Sequence, residues 1–259
     1  MLTSFTAGRY IVLARIFVAG LGCAAVIWGL ATLPIFRRQA SMEYVAHRII
    51  RGEPYKIDVL MRQMPVMEAV ENSTNCRPIA FWSVAIVRLR MVEEAGRNNT
   101  GKPGDAQQIK LLDNWIRRSL SCSPAEPFLW LALYWAERAQ NGFKLEHYKY
   151  LKMSYQLGPN EGWIVLKRNS IALADSDRLP ADLAADAINE FVALLKDGLY
   201  QQAVENFSRS EWWVQDTILP YLAPLPQRIR ETFAKAVYDQ GLDVTIPGVK
   251  TPNSKPPWR

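Results

Sequence analysis

From Ile16 to Phe36 the chain runs through 21 consecutive residues without a charge. At 1.5 Å per residue such a helix reaches about 30 Å, the thickness of a bilayer's hydrocarbon core. Extension back to Tyr10 adds apolar residues and one charge, Arg15, which near a helix end can snorkel to the interface. Tyr10 and Trp28 are suited to interfacial or lipid-facing positions, and Pro34 lies where the helix is expected to stop. The pattern predicts a short tail and one transmembrane helix within residues 1–40. Three other readings compete with it. A cleaved signal peptide has a shorter apolar region and a small-residue cleavage pattern, which is not found after this run. Lipoprotein processing at Cys23 needs a different residue order from Gly20-Leu21-Gly22. A buried core helix is the third.

The net charge of +6 suggests a nucleic-acid binder at first sight. Its distribution argues otherwise. Residues 1–40 hold Arg9, Arg15, Arg37 and Arg38 and no acid, which leaves 27 basic against 25 acidic residues in 41–259. The basic excess flanks the apolar segment, and no basic stripe marks a phosphate-binding face. Orientation is nearly balanced. Arg48, Arg51 and Lys56 favour a cytoplasmic C-terminal part, whereas the basic N-terminal tail favours the opposite.

Three cysteines exclude a disulfide-dense scaffold. Cys76 and Cys122 each stand two residues before a proline, in NCRP and SCSP. One precedes a predicted helix at 79–95 and the other follows one at 107–121. In an antiparallel helix pair these positions share one end. A bridge there would close a loop of about 45 residues, worth roughly 3–4 kcal/mol, and would imply an oxidising compartment; two unrelated thiols near turns are the alternative. That consideration decides the orientation: the bulk of the chain is expected outside the cytoplasm.

From residue 41 onward the periodicity is helical, without a convincing period-two strand. Helices are expected over 41–52, 56–72, 79–95, 107–121, 127–139, 143–157, 161–174, 180–197, 199–208, 210–219 and 227–240. Asp105, Asn160, Ser176 or Asp177, and Ser210 are expected N-caps. Pro180 suits a first turn, and Gly142, Gly158, Gly198 and Gly241 suit helix ends. Pro220, Pro224 and Pro226 are expected to break the chain between the last two helices. The segments 79–95, 127–139 and 161–174 are apolar almost all round, and those between them are striped. A buried helix and its cover alternate in this way, which describes helix pairs in two layers. Residues 244–259 form a proline-rich extended tail.

Ser119–Phe128 (SLSCSPAEPF) aligns without a gap on Ser154–Trp163 (SYQLGPNEGW), a separation of 35 residues. The interval is close to the 34 of tetratricopeptide repeats. Over roughly 75–197 the pairs resemble degenerate members of that family, with an incomplete Trp-Leu-Gly-Tyr pattern. An irregular helical bundle is the alternative. The expected fold is therefore all-α: one N-terminal transmembrane helix, then a helical-hairpin repeat domain over 41–243.

No catalytic, cofactor-binding or metal-ligating set emerges. The two histidines, His47 and His147, lack triad or zinc spacing, and His147 reads as a surface or boundary residue. Glu93, Glu94, Glu126, Glu137 and Glu161 offer no pair singled out for glycoside chemistry, and Glu93-Glu94 reads as solvated. No Gly-rich phosphate loop is present. Trp82, Trp115, Trp130, Trp135 and Trp163 fall on apolar faces and read as core. Trp212-Trp213 differ, because adjacent helical residues point about 100° apart, leaving one exposed to a partner or a membrane surface.

The plan resembles small anchored accessory proteins of bacterial exopolysaccharide systems. That resemblance, with the repeat pattern, implies a non-enzymatic adaptor or assembly factor, single-pass in a bacterial inner membrane with a periplasmic domain. Its expected partners are the lipid bilayer and an envelope protein, without nucleic acid or a cofactor. A glycan-acting envelope enzyme and a cytoplasmic-facing scaffold that recruits enzymes are the alternatives.

Overall fold

The computed structural model describes residues 3–98 and 106–250. The described residues are 78% helical, and no strand occurs among them. It divides into two compact units, residues 1–95 and 96–259. The expected cap Asp105, most of the loop from Gly96 to Gly104, and the tail from residue 251 lie outside the described residues.

The first unit is built on α1 (Thr3–Ile50), one helix of 48 residues. The expected stop at Pro34 does not occur, so the apolar segment and the predicted helix at 41–52 are one rod. Proline removes the amide that would reach the Leu30 carbonyl, but one missing bond is tolerated where the turns on both sides hold. Beside it, Thr32 Oγ donates to the Trp28 carbonyl at 2.9 Å. Within α1, Leu13–Pro34 is long and apolar enough to cross a membrane, and none of its hydrophobic window is buried. Beyond it the same helix turns Met42, Val45 and Ala46 inward. They meet a small core with Leu60 of α2 (Ile57–Met61) and Met67 and Val70 of α3 (Met64–Glu71). The expected helix at 56–72 is thus two short ones. α4 (Pro78–Asn98) follows. Ser83 to Arg88 are buried without interruption, as an all-round apolar helix requires. The Arg88 guanidinium is held by Glu71, with Nε donating at 2.9 Å, and His47 of α1 lies against Trp82, ring centroids 5.1 Å apart.

The second unit contains α5 (Ala106–Cys122), α6 (Pro127–Asn141), α7 (Tyr148–Leu157, entered through a 3-10 turn at Leu145–His147), α8 (Gly162–Ala174), α9 (Ala181–Lys196) and α10 (Tyr200–Arg209). Two further helices close it, α11 (Trp212–Leu222) and α12 (Gln227–Asp239). α6 packs on α8, and α8 on α10. α5 packs on α6, and α9 on α8, while Lys152 of α7 reaches Asp182 of α9 at 2.8 Å. Helices α6, α8 and α10 thus form one layer, with α5, α7 and α9 alternating beside it. The stripe on α5 (Ile109, Leu112, Trp115, Ile116 and Leu120) is buried.

The 35-residue register is visible in three dimensions. α5 ends at Cys122 and α7 at Leu157; α6 begins at Pro127 and α8 at Gly162. Glu126 and Glu161 occupy matching N-cap positions with extended backbone. Ser119 and Ser154 are both fully buried, and Phe128 lies 4.9 Å from Trp163 between ring centroids. The two glutamates are close enough to interact. Burial, then the charge of Glu161, pushes the Glu126 carboxyl above its usual range.

Several caps differ from expectation. α8 and α11 start from Glu161 and Glu211, and α9 from Pro180, each without a side-chain cap bond. The hydroxyls expected to cap forward bond backward instead. Ser176 Oγ donates to the Leu173 carbonyl at 2.9 Å and Ser210 Oγ to the Phe207 carbonyl at 2.7 Å. Each supplies a donor to the C-terminus of the helix before it, where carbonyls lack partners. Pro220 sits inside α11 rather than ending it. Gly198 and Gly241 do close helices at positive φ, +77° and +79°. In each case two amides reach back to the final carbonyls in the 6→1 and 5→2 pattern.

Gly158 closes α7 as its C-cap and also packs closely. Its φ is −139°, which any residue adopts. A Cβ there would stand 2.7 Å from Pro127 Cγ. The Gly158→Ala variant is expected to lose about 1–3 kcal/mol through overpacking. Equilibrium urea unfolding of the full chain checks this, and an unchanged midpoint would remove the packing argument. Near the C-terminus, Ile246 is buried and Arg230 Nη1 donates to the Pro247 carbonyl at 2.5 Å.

Candidate functional site

Helix α11 presents the most prominent aromatic surface of the second unit. It buries Val214, Ile218 and Leu222, one residue per turn. The opposite face carries Trp212 and Trp213, 69% and 40% exposed, followed by Asp216, Thr217 and Tyr221. Sequence periodicity left one tryptophan exposed; both are. The buried stripe is narrow, so two neighbouring residues fit on the open side. The indoles meet edge to face, with centroids 5.9 Å apart and planes at 83°. The start of the helix is pinned by Gln215, whose amide donates to the Phe207 and Ser210 carbonyls at 3.0 and 3.1 Å. An aromatic pair on a fixed helix loses little side-chain entropy on binding, which suits it to anchor a partner.

A groove of ≈470 Å³ lies along α9. Gln156, Asn160, Val165 and Leu194 line it together with Asp186, Glu190 and Asp197. All three carboxylates belong to α9 or its C-cap, so they occupy one wall. Asp186 is exposed and Glu190 buried. Burial, then the neighbouring Asp182, raises the Asp186 carboxyl.

Beneath this groove is a charged network that periodicity missed. Arg168 on α8 is fully buried. Its Nε and Nη2 donate to Glu190 Oε1 at 2.9 and 2.6 Å. Nη1 donates to the Ser154 carbonyl at 2.7 Å and Nη2 to the Gly158 carbonyl at 3.1 Å. The Tyr155 hydroxyl donates to Glu190 Oε2 at 3.2 Å, and its ring lies 4.1 Å from the guanidinium. Burial raises the Glu190 carboxyl, opposed by these donors, and raises the Tyr155 hydroxyl with it. Beside it, Asn169 donates to the Ala187 carbonyl at 2.8 Å and accepts from Asn206 at 3.0 Å. The signal for this network was register. Arg168 falls one turn from both Ile164 and Ala172 on the buried side of α8, and Glu190 falls in line with Ala187 and Leu194 on α9.

The remaining sequence candidates are dispersed. Cys23 is an exposed free thiol on α1, whereas Cys76 and Cys122 are each disulfide-bonded. Trp115 is buried, and Trp82, Trp130, Trp135 and Trp163 are half-buried. Glu93 and Glu94 are not simply solvated, because both pair with Arg90, at 3.1 and 2.6 Å. His147 is buried rather than superficial, 3.5 Å from Glu137. The 3-10 turn carries it inward, which a continuous helix over 143–157 would not. Glu137 also holds Arg117.

Comparison with protein-family models, characterised proteins and solved structures finds no match for this chain.

Proposed function

We propose that the protein is a membrane-anchored, non-enzymatic adaptor or assembly factor of a bacterial cell envelope, serving surface-polysaccharide biosynthesis or export. One observation carries the reading. Among the described residues, none of the apolar window of α1 is buried. Leu13, Ile16, Phe17, Val18, Leu21, Val26, Ile27, Trp28, Leu30 and Leu33 are all exposed. Each such side chain gains roughly 1.5–3 kcal/mol when removed from water. A bilayer removes all of them together. The helical second unit then offers Trp212 and Trp213 to an envelope protein, and layered helix pairs of this kind make extended binding surfaces. The tetratricopeptide likeness is part of the proposal, supported by the shared 35-residue register. The arrangement of carboxylates on one wall of the groove favours binding over glycan hydrolysis, which uses a pair flanking the bond to be cut.

In this reading the disulfide-bonded Cys76 and Cys122 belong to an oxidising compartment, the domain faces the periplasm, and the span lies in the inner membrane. Alkaline phosphatase, fused after Arg259 in a bacterial host, tests the orientation, since that enzyme needs disulfides to be active. The expected result is an active fusion. An inactive fusion present in the membrane fraction would place the domain in the cytoplasm and turn the reading to a scaffold that recruits cytoplasmic enzymes.

A further inference from the structure

The first turn of α4 and the part of α1 just past the apolar segment enclose a cavity of ≈270 Å³ within the first unit. Phe36, Gln39 and Met42 line it from α1, and Ile79, Ala80 and Ser83 from α4. Arg77, also a lining residue, immediately precedes α4. Three kinds of hydrogen-bond donor belong to its lining residues. Ser83 is 0% exposed, and its Oγ has no hydrogen-bond partner. Arg77 Nε is buried and likewise unpartnered. The amides of Ile79 and Ala80 belong to a helical first turn, which has no carbonyl of its own to offer them, and the helix dipole adds positive potential. The one carboxylate among the lining residues is Glu43, half-exposed and 3.9 Å from His47. The cavity therefore asks for acceptor oxygens, preferably anionic.

Its position says what brings them. Phe36 to Met42 lie about 3–12 Å past Pro34 along the helix, at 1.5 Å per residue. Headgroups occupy roughly 5–8 Å on each side of the hydrocarbon core. Phe36 and Ile79 are 64% and 59% exposed, so uncovered apolar surface continues from the span to the cavity. We propose that this cavity holds the phosphate and glycerol portion of one bilayer phospholipid, with Arg77 and Ser83 donating to its oxygens. The acyl chains run back past Phe36 beside the span. A volume just below the usual range for small-molecule pockets fits a headgroup and not a whole lipid. This inference rests on the membrane-anchored reading.

The full chain, purified in mild detergent, is titrated with phosphatidylglycerol and followed by native mass spectrometry, after carbonate extraction has shown whether it is embedded. The expected result is one tightly retained lipid per chain. Arg77→Gln and Ser83→Ala are each expected to weaken retention about tenfold, the worth of one charge-assisted hydrogen bond. Glu43→Gln is expected to strengthen it, a gain that misfolding cannot produce. Ser83→Ala removes a buried, unpartnered hydroxyl, so a purely structural serine predicts equal or greater stability and unchanged lipid. An embedded chain whose variants all retain lipid equally overturns the lipid site alone. A dimer that Arg77→Gln dissolves would assign the cavity to a second copy and overturn it too. A chain released by carbonate overturns the anchor and the lipid site together.

Discussion

Aspartate at both Leu21 and Val26 is expected to abolish carbonate-resistant sedimentation of the chain. Both positions lie near the middle of Leu13–Pro34 and are exposed, at 55% and 61%, so no protein core pays for or opposes the change. Near a bilayer's centre each aspartate costs about 2.5–3.5 kcal/mol and forfeits the few tenths gained from the aliphatic chain it replaces. The pair therefore costs roughly 5–8 kcal/mol, enough to reverse insertion of a single span. Gly20→Ala with Gly22→Ala is the control. A Cβ at either glycine meets nothing within 4 Å, and alanine favours the helix. Carbonate-resistant sedimentation of the full chain separates the two: the control stays in the pellet and the aspartate variant leaves it. If both pellet alike, lipid is not what covers this helix. The same result would restore the buried-helix alternative, with the cover supplied by another protein.

Arg168→Met is expected to destabilise the second unit by about 3–5 kcal/mol, the cost of breaking a buried ion pair from one side. The loss has three parts in this structure. Glu190 keeps a buried carboxylate with only Tyr155 to donate to it. The Ser154 and Gly158 carbonyls lose their guanidinium donors. The Tyr155 ring loses the cation packed against it. Adding Glu190→Leu removes the stranded charge, so the double variant is expected to be more stable than Arg168→Met alone. Urea unfolding of the full chain in mild detergent, followed by the circular dichroism of the helices, measures both. A single variant within about 1 kcal/mol of the parent, in the range of a surface pair, would contradict the geometry. A double variant worse than the single would show that the site needs its charges for packing.

The helices themselves were legible because their signals are local. Apolar period and punctuation by Gly and Pro placed α5 at 107–121 against Ala106–Cys122, and α9 at 180–197 against Ala181–Lys196. The uncharged run from Ile16 to Phe36 declared its length and polarity without reference to anything else. The 35-residue register was also readable, since it is a property of spacing, and it located the matching turns at Glu126 and Glu161. Chain order alone therefore determined an all-helical protein with one exposed apolar rod at its N-terminus.

What the sequence did not determine depends on partners distant along the chain. Pro34 looks like a terminus because it lacks an amide, yet α1 continues because each neighbouring turn keeps its own bonds. Ser176 and Ser210 have the chemistry to cap in either direction, and the preceding helix offered the nearer free carbonyl. Arg168 lies on the buried side of α8, but its partners come from other helices. Only when α7, α8 and α9 pack do Glu190, two carbonyls and the Tyr155 ring surround it. The cavity beside Phe36 arises in the same way, from residues some forty positions apart that meet when α4 lies against α1. Local pattern decides which segments become helices, because those hydrogen bonds close within a few residues. Tertiary packing decides which charges are buried and where cavities remain, because those interactions close between segments whose separation no periodicity encodes.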